Sequence, residues 1–319
     1  MPRRRSNALL RSAALFTSVL AVALASCSVE ATTTVAGRTT IVCTTAMIGD
    51  VVEEIAADDC DVVVLFGPDV DPHLFRPTRD DVSTLMRAAV VIYNGFHLEG
   101  HLTESLVRVA EADVEVVALA ERSVEGDEIL EDGGAPDPHV WMDPSLWLRT
   151  TDVVAGIVAE HVDGDRSAID ERAARVAERL ALLDAECAER LSAIPAERRV
   201  LLTAHDAFGY FGRRYDVTVE GIQGVSTASE AGLRAIQELV ALVVERRLPA
   251  VFFESTVSER NVAALVEGAN AAGHAVRIGG VLHADAPGDA VTYEGMLRHN
   301  LETIVSALAP PSAGGEASR

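Results

Sequence analysis

The sequence predicts an α/β protein of two lobes with mainly parallel sheets, joined by one long rigid α-helix, and three observations lead there. Short continuous apolar runs alternate with helical periodicities in both halves of the chain, as strands buried on both faces by crossover helices require. Between the halves lies one amphipathic stretch longer than either lobe needs. The histidines with the most constrained flanks, His73, His139 and His205, stand 66 positions apart in each case. That is far too wide for a local metal finger, so folding must bring them together.

Residues 1–26 read as a signal peptide. Arg3, Arg4, Arg5 and Arg11 make a positive head, Ala13 to Ala25 an apolar core, and Leu24-Ala25-Ser26-Cys27 closes it with small residues. The apolar run falls short of the roughly 20 residues of a spanning helix. Leu24 to Cys27 resembles a bacterial lipobox, which makes Cys27 the lipidation site and implies anchoring to the outer face of a membrane. Residues 27–38, rich in Thr, Ala and Gly, follow as a flexible tether.

The first lobe is expected over residues 39–165. Thr39 to Thr44 is a short β-rich run, Met47 to Ala57 has helical spacing through Ile48, Val51, Val52 and Ile55, and Val62 to Phe66 is continuously apolar. The βαβ pattern continues with a helix near Arg79 to Ala88, a strand at Val90 to Tyr93, a helix near Leu102 to Glu111 and a strand at Val114 to Leu119. Ligands of such a lobe belong on loops at the carboxyl ends of its strands. Between Glu121 and Pro136 lies an acidic segment, SVEGDEILEDGG, which ends in two glycines and reads as a mobile surface loop; Leu146 to His161 reads as one helix. Residues 166–195 form the linking helix. Its amphipathic stretch, Ala168 to Ile194, sets Ala, Val and Leu against Glu and Arg, and about 25 residues would span roughly 37 Å as a rod between lobes.

The second lobe, 196–310, repeats the alternation. Strands are expected at Val200 to Thr203, Val217 to Ile222, Ala250 to Phe253 and Ala275 to Ile278. Helices are expected at Glu230 to Arg247, Ser258 to Ala272 and Tyr293 to Leu308, the first two with Ser and Glu at their heads. Residues 311–319, rich in Pro, Ser and Gly, read as a disordered tail.

Composition bounds the function. A chain of 319 residues with 49% hydrophobic residues can bury a large core, and its formal charge is −22 with arginine as its only strongly basic residue. Removal of the signal peptide takes away four arginines and no acid, leaving −26. Such acidity excludes nucleic acid as a partner and suits a solvated surface or attraction of cations.

The chemistry concentrates in Pro136 to Pro144, PDPHVWMDP, where His139 lies between two Asp-Pro dipeptides. Proline fixes its own φ and pushes its predecessor out of the helical region, so the loop presents His139 rigidly. Asp71-Pro72-His73 repeats the device upstream, and Thr203-Ala204-His205-Asp206 offers a third histidine downstream. A fourth ligand is expected from GGVLHADAPGD, which provides His283, Asp285 and Asp289. Mixed imidazole and carboxylate sets suit Zn²⁺ and similarly Mn²⁺.

These motifs, together with DPHLFRPT (71–78), YNGFHLE (93–99), TAHDAFGYF (203–211), IQGVSTASEAG (222–232) and Gly279 to Asp285, resemble the metal-binding receptors of bacterial zinc and manganese ABC importers, the TroA-like or cluster A-I family. The similarity runs from about Ile41 to Leu308. It implies two Rossmann-like lobes joined by one rigid helix, with His73, His139, His205 and Asp285 as the four ligands of one ion, Zn²⁺ or Mn²⁺, in the cleft. It further implies a monomeric, exported, lipid-anchored receptor that serves an ABC permease and its cytoplasmic ATPase, and is no enzyme.

Two cues on the ion oppose each other. The acidic loop lacks the histidines of zinc-dedicated members, whereas His205 stands where some manganese-dedicated members carry glutamate. Glu254, at the end of a strand, is expected to hydrogen-bond one imidazole from behind. Trp141 and Phe208 are expected to pack over the site. His97, His101 and His283 are set aside as surface or supporting groups. Cys43 and Cys60 fall on neighbouring predicted strands and admit a disulfide. Two other classes are open to the same residues. A metallohydrolase would need an open water position on the metal, yet no HExxH motif is present; in a surface adhesin the metal would be structural.

Overall fold

A computed structural model describes residues 38–229 and 231–310. The signal segment, Cys27, the tether, Glu230 and the tail from 311 lie outside the described residues.

The first half contains β1 (Thr40–Cys43), α1 (Ala46–Ala56), β2 (Asp61–Val64), α2 (Arg79–Leu85), β3 (Val90–Tyr93), α3 (Thr103–Glu111) and β4 (Glu115–Ala118). The four strands form one parallel sheet in the order β2-β1-β3-β4. Ile41, Val42, Val90, Val91 and Ile92 are fully buried, because helices cover both faces and leave no polar side to the strands. Thr45 caps α1 by accepting from the Ile48 amide, and Thr78 with Asp81 makes a reciprocal capping box on α2. The register pairs Cys43 with Val64. Cys60, just ahead of β2, is therefore displaced by four residues, about 13 Å along the strand. A disulfide cannot span that, and both cysteines are buried free thiols.

After α4 (Leu119–Ser123), the acidic segment is not a free loop. It holds a one-turn helix at Gly126–Glu128 and a small antiparallel hairpin, β5 (Glu131–Asp132) with β6 (Ala135–Pro136). Arg149 grips Glu128 with two bonds of 2.7 Å, and the Leu130 amide donates to the Tyr210 hydroxyl at 3.1 Å. The single helix expected from Leu146 is two, α5 (Pro144–Trp147) and α6 (Thr150–His161). Pro144 starts the first behind the Asp143 cap. The Thr150 and Thr151 hydroxyls then donate to the Trp147 and Leu148 carbonyls, both at 2.7 Å, competing with helix continuation.

The linking helix, α7 (Arg166–Ser192), is 27 residues long, about 40 Å. It is a spine rather than a solvent-spanning rod. Ile169, Ala173, Val176, Leu180, Leu183, Cys187 and Leu191 repeat every three or four residues and sink into one core shared by α1, α6, α8 and α11. Arg179 pairs from this spine with Glu54 of α1 and with Glu294 of α11, the latter at 2.7 Å.

The second half contains β7 (Val200–His205), α8 (Gly209–Tyr215), β8 (Thr218–Gln223), α9 (Leu233–Glu245), β9 (Ala250–Glu254), α10 (Arg260–Ala271), β10 (Arg277–Leu282) and α11 (Tyr293–Leu308). β7 pairs with β8 and β9 with β10, all parallel, and β7 runs beside β9 over a second core of Val200, Leu202, Val251 and Leu265. β10 begins two residues later and runs four residues further than expected. Gly279 and Gly280 interrupt its apolar pattern at a register shift, where a side chain on Gly279 would strike the Phe252 ring.

Candidate metal centre

Three loops that follow strands, together with the last residue of β7, deliver His73, His139, Asp285 and His205 to one point. The two Asp-Pro-His motifs work identically. Asp71 Oδ1 accepts the His73 amide at 2.8 Å, and Asp137 Oδ1 accepts the His139 amide at 3.0 Å. Each aspartate thus closes a tight turn over its proline and fixes the backbone of the histidine two positions on. His205 ends β7, and the next amide, Asp206 N–H, donates to Gln223 O at 3.1 Å. Gly221 permits that approach, since a Cβ there would collide with the Asp206 backbone. Asp285 follows β10 and is steadied by Trp141, whose indole N–H donates to Ala284 O at 2.8 Å.

The geometry is that of a ligand set. His73 Nε2 is 3.3 Å from His139 Nε2, His139 Nε2 is 3.3 Å from Asp285 Oδ1, and His205 Nε2 is 3.3 Å from Asp285 Oδ2. One ligand atom from each of the four residues lies within 4.8 Å of every other. Donors placed tetrahedrally about 2.0–2.1 Å from a shared ion are about 3.3–3.4 Å apart. His139 and His205 are completely buried, Asp285 is 2% exposed and His73 6%. Both Asp285 oxygens and His205 Nε2 are buried without any hydrogen-bond partner among the described residues. Buried polar atoms are rarely left so unless something else satisfies them, and a cation would satisfy all three.

The far nitrogens are held from behind. Asp137 Oδ1 also lies 2.7 Å from His139 Nδ1. Glu254 Oε1 accepts the His205 amide at 2.8 Å. Its Oε2 stands 2.5 Å from His205 Nδ1, in ion-pair contact but out of line for a hydrogen bond. In both cases Nε2 is left to face the centre. Burial opposes charging His139, but Asp137 and Asp285 outweigh it and raise its pKa to about 9. His205 is likewise raised against its burial by Glu254 and Asp285. Asp285 is held well below the carboxylate range, because His205, His139 and His73 overcome its burial. His73 moves the other way, to about 4, since burial dominates there despite Asp285.

A further shell supports the His139 loop. Asn94 Nδ2 donates to Pro138 O at 3.0 Å, and buried Glu99 accepts the Asn94 amide and the Thr44 hydroxyl, each at 2.7 Å. The Tyr210 hydroxyl donates to Asp137 O at 3.0 Å. Asp137, Asn94, Glu99 and Tyr210 escaped the sequence reading, although the matched Asp-Pro-His motifs carried a signal for Asp137. Trp141 packs edge-on to His139 with ring centroids 5.2 Å apart, and Phe208 is fully buried. His97 and His101 are exposed and stay out of the cluster, His97 lining the cleft that opens on His73. His283 points to a different group, formed with Asp289 and His299.

Two parallel α/β lobes pinned by one spine helix over a buried cluster define a binding receptor of the periplasmic type. The chain belongs to the family described as "ZnuA: Zinc-uptake complex component A periplasmic", whose model matches residues 41–307. It is 43% identical over 277 residues to the zinc-binding protein TroA of Treponema pallidum, covering 86% of this chain and 90% of that one. It is 41% identical over 274 residues to the manganese-binding lipoprotein MntA of Bacillus subtilis, covering 84% and 89%. The solved structure of the periplasmic zinc-binding protein TroA superposes with a TM-score of 0.83 over 86% of this chain and all of that one. The family consists of substrate-binding receptors of metal ABC transporters, not enzymes, and works with a permease and an ATPase.

Proposed function

We propose that this protein captures one divalent transition-metal ion, zinc or manganese, between His73, His139, His205 and Asp285, and delivers it to the permease of its ABC importer. The observation that carries this reading is the convergence of three imidazoles and one carboxylate at 3.3 Å spacings in a closed, buried site. Three imidazoles favour zinc in the intrinsic affinity order. Both Asp285 oxygens face the histidines, which also supports the higher coordination of manganese. The receptor acts as a monomer, held to the outer face of the cytoplasmic membrane by a lipid on Cys27. The spine helix and its shared core support modest tilting of the lobes on release instead of a wide hinge.

Metal analysis of protein purified without added metal, followed by competition between Zn²⁺ and Mn²⁺, tests the ion. His139→Ala should lose high-affinity binding while keeping its fold; unchanged stoichiometry and affinity would refute the ligand set. Cys27→Ser should release the protein from membranes or leave the precursor uncleaved, and fractionation identical to the parent would refute the anchor.

A further inference from the structure

Just outside the buried centre, the segment after β10 builds a second group of metal-ligating side chains. One ligand atom from each of His283, Asp289 and His299 lies within 4.8 Å of the other two. His283 is positioned as firmly as the residues of the inner site. Its amide donates to Asn300 Oδ1 at 2.8 Å, and Asn300 Nδ2 donates back to the His283 carbonyl at 2.7 Å. Gly288 has φ +56°, and any side chain there would collide with the His283 ring, so the turn is shaped around the imidazole. His283 Nε2 stands 3.1 Å from Asp289 Oδ1.

His299 comes from the first turns of α11, with its ring centroid 4.4 Å from that of His283. Its Nε2 lies 2.9 Å from Val281 O. A carbonyl only accepts, so Nε2 carries the proton and Nδ1 keeps the lone pair a metal needs. That is the arrangement of a ligating imidazole oriented by a backbone carbonyl.

We propose that His283, Asp289 and His299 form a second divalent transition-metal site, facing solvent beside the buried one. Two imidazoles and one carboxylate suit zinc, nickel or copper(II) rather than magnesium or calcium. The site differs from the inner centre in two ways that make it weaker and faster to exchange. It offers three ligands, leaving coordination positions to water, and the Asp289 side chain is 89% exposed, so ordering it costs conformational entropy. His283 and Asp285 are two residues apart, which limits their Cα atoms to about 7 Å. An ion held outside is therefore one short segment from the inner carboxylate.

Titration of the metal-stripped mature protein with Zn²⁺, and with Co²⁺ followed by its visible spectrum, tests the site. Two equivalents are expected, one tight and one weaker. His299→Ala and the exposed Asp289→Ala should each lose the weaker equivalent and leave the tight one unchanged, which also certifies their folding. His139→Ala should do the reverse, so failure of this proposal is distinguishable from failure of the inner-site reading. A wild-type stoichiometry of one, or a weaker equivalent that survives both His299→Ala and Asp289→Ala, would overturn it.

Discussion

Replacing Asp137 by Asn should weaken metal binding by an amount that depends on pH in a direction the geometry dictates. Asp137 Oδ1 lies 2.7 Å from His139 Nδ1 and also accepts the His139 amide. The amide oxygen of Asn can keep the backbone turn but not the charge. Loss of such a carboxylate behind a ligating imidazole costs about 10- to 100-fold in metal affinity, about 1–3 kcal/mol. The same carboxylate, however, helps raise the pKa of metal-free His139 to about 9. At pH 7 the wild-type ion must displace that proton, at a cost of about 3 kcal/mol. The variant, its His139 pKa lowered, escapes most of that cost. The two effects nearly cancel at pH 7, and the deficit emerges in full above about pH 9. Chelator-competition titrations at both pH values measure it. A deficit that is largest at pH 7 and fades toward pH 9.5 would refute the reasoning.

Glu254→Gln should act alike at His205, the deficit growing with pH toward the order of 10- to 100-fold by chelator competition, and an affinity unchanged at every pH would show that Glu254 only packs. Because His139 and His205 are both raised in the metal-free protein, loading at pH 7 should release about two protons per ion, read by calorimetry in buffers of different ionisation enthalpy. Release of fewer than one would contradict those shifts. The raised His139 also sets the pH dependence of metal-free stability. Its contribution is fully present below the ordinary histidine value of about 6.5 and is lost as pH rises toward about 9. Thermal unfolding should show the metal-free protein losing stability across that window while metal-dependent stabilisation grows. Thr227→Val removes the 2.7 Å bond from the Thr227 hydroxyl to Asp71 Oδ2, which ties the two lobes beside His73. It should speed metal dissociation while costing about 1 kcal/mol of affinity, and an unchanged off-rate in stopped-flow would argue against a latch there.

The parts of the fold that were legible in the sequence are those whose signal is local. β3 and α11 stand where their patterns end, and α1, β1 and α7 shift by a residue or two, because apolar periodicity and caps act over a few positions. The misses have equally local causes. Two threonine hydroxyls split α5 from α6, a pair of glycines hid most of β10, and α8 is a seven-residue helix with a glycine at its first position, too short for a period to register. The four inner residues were visible because proline-flanked histidines and a family resemblance marked them. Asp137, Asn94, Glu99 and Tyr210 were not, since a carboxylate, amide or hydroxyl in a loop or short helix looks like any solvated group until folding buries it against its partner. The burial of the spine helix along one whole stripe was equally out of reach, because amphipathicity names a face and not what covers it.

X-ray absorption at the metal edge, on protein loaded with a single equivalent of Zn²⁺ or Mn²⁺, tests the proposed ion site most directly. Three imidazole nitrogens and one or two carboxylate oxygens are expected, with zinc distances of about 2.0–2.2 Å. The imidazole scattering should fall in His139→Ala. A shell of oxygens alone, or one that contains sulfur, would contradict a centre built from His73, His139, His205 and Asp285.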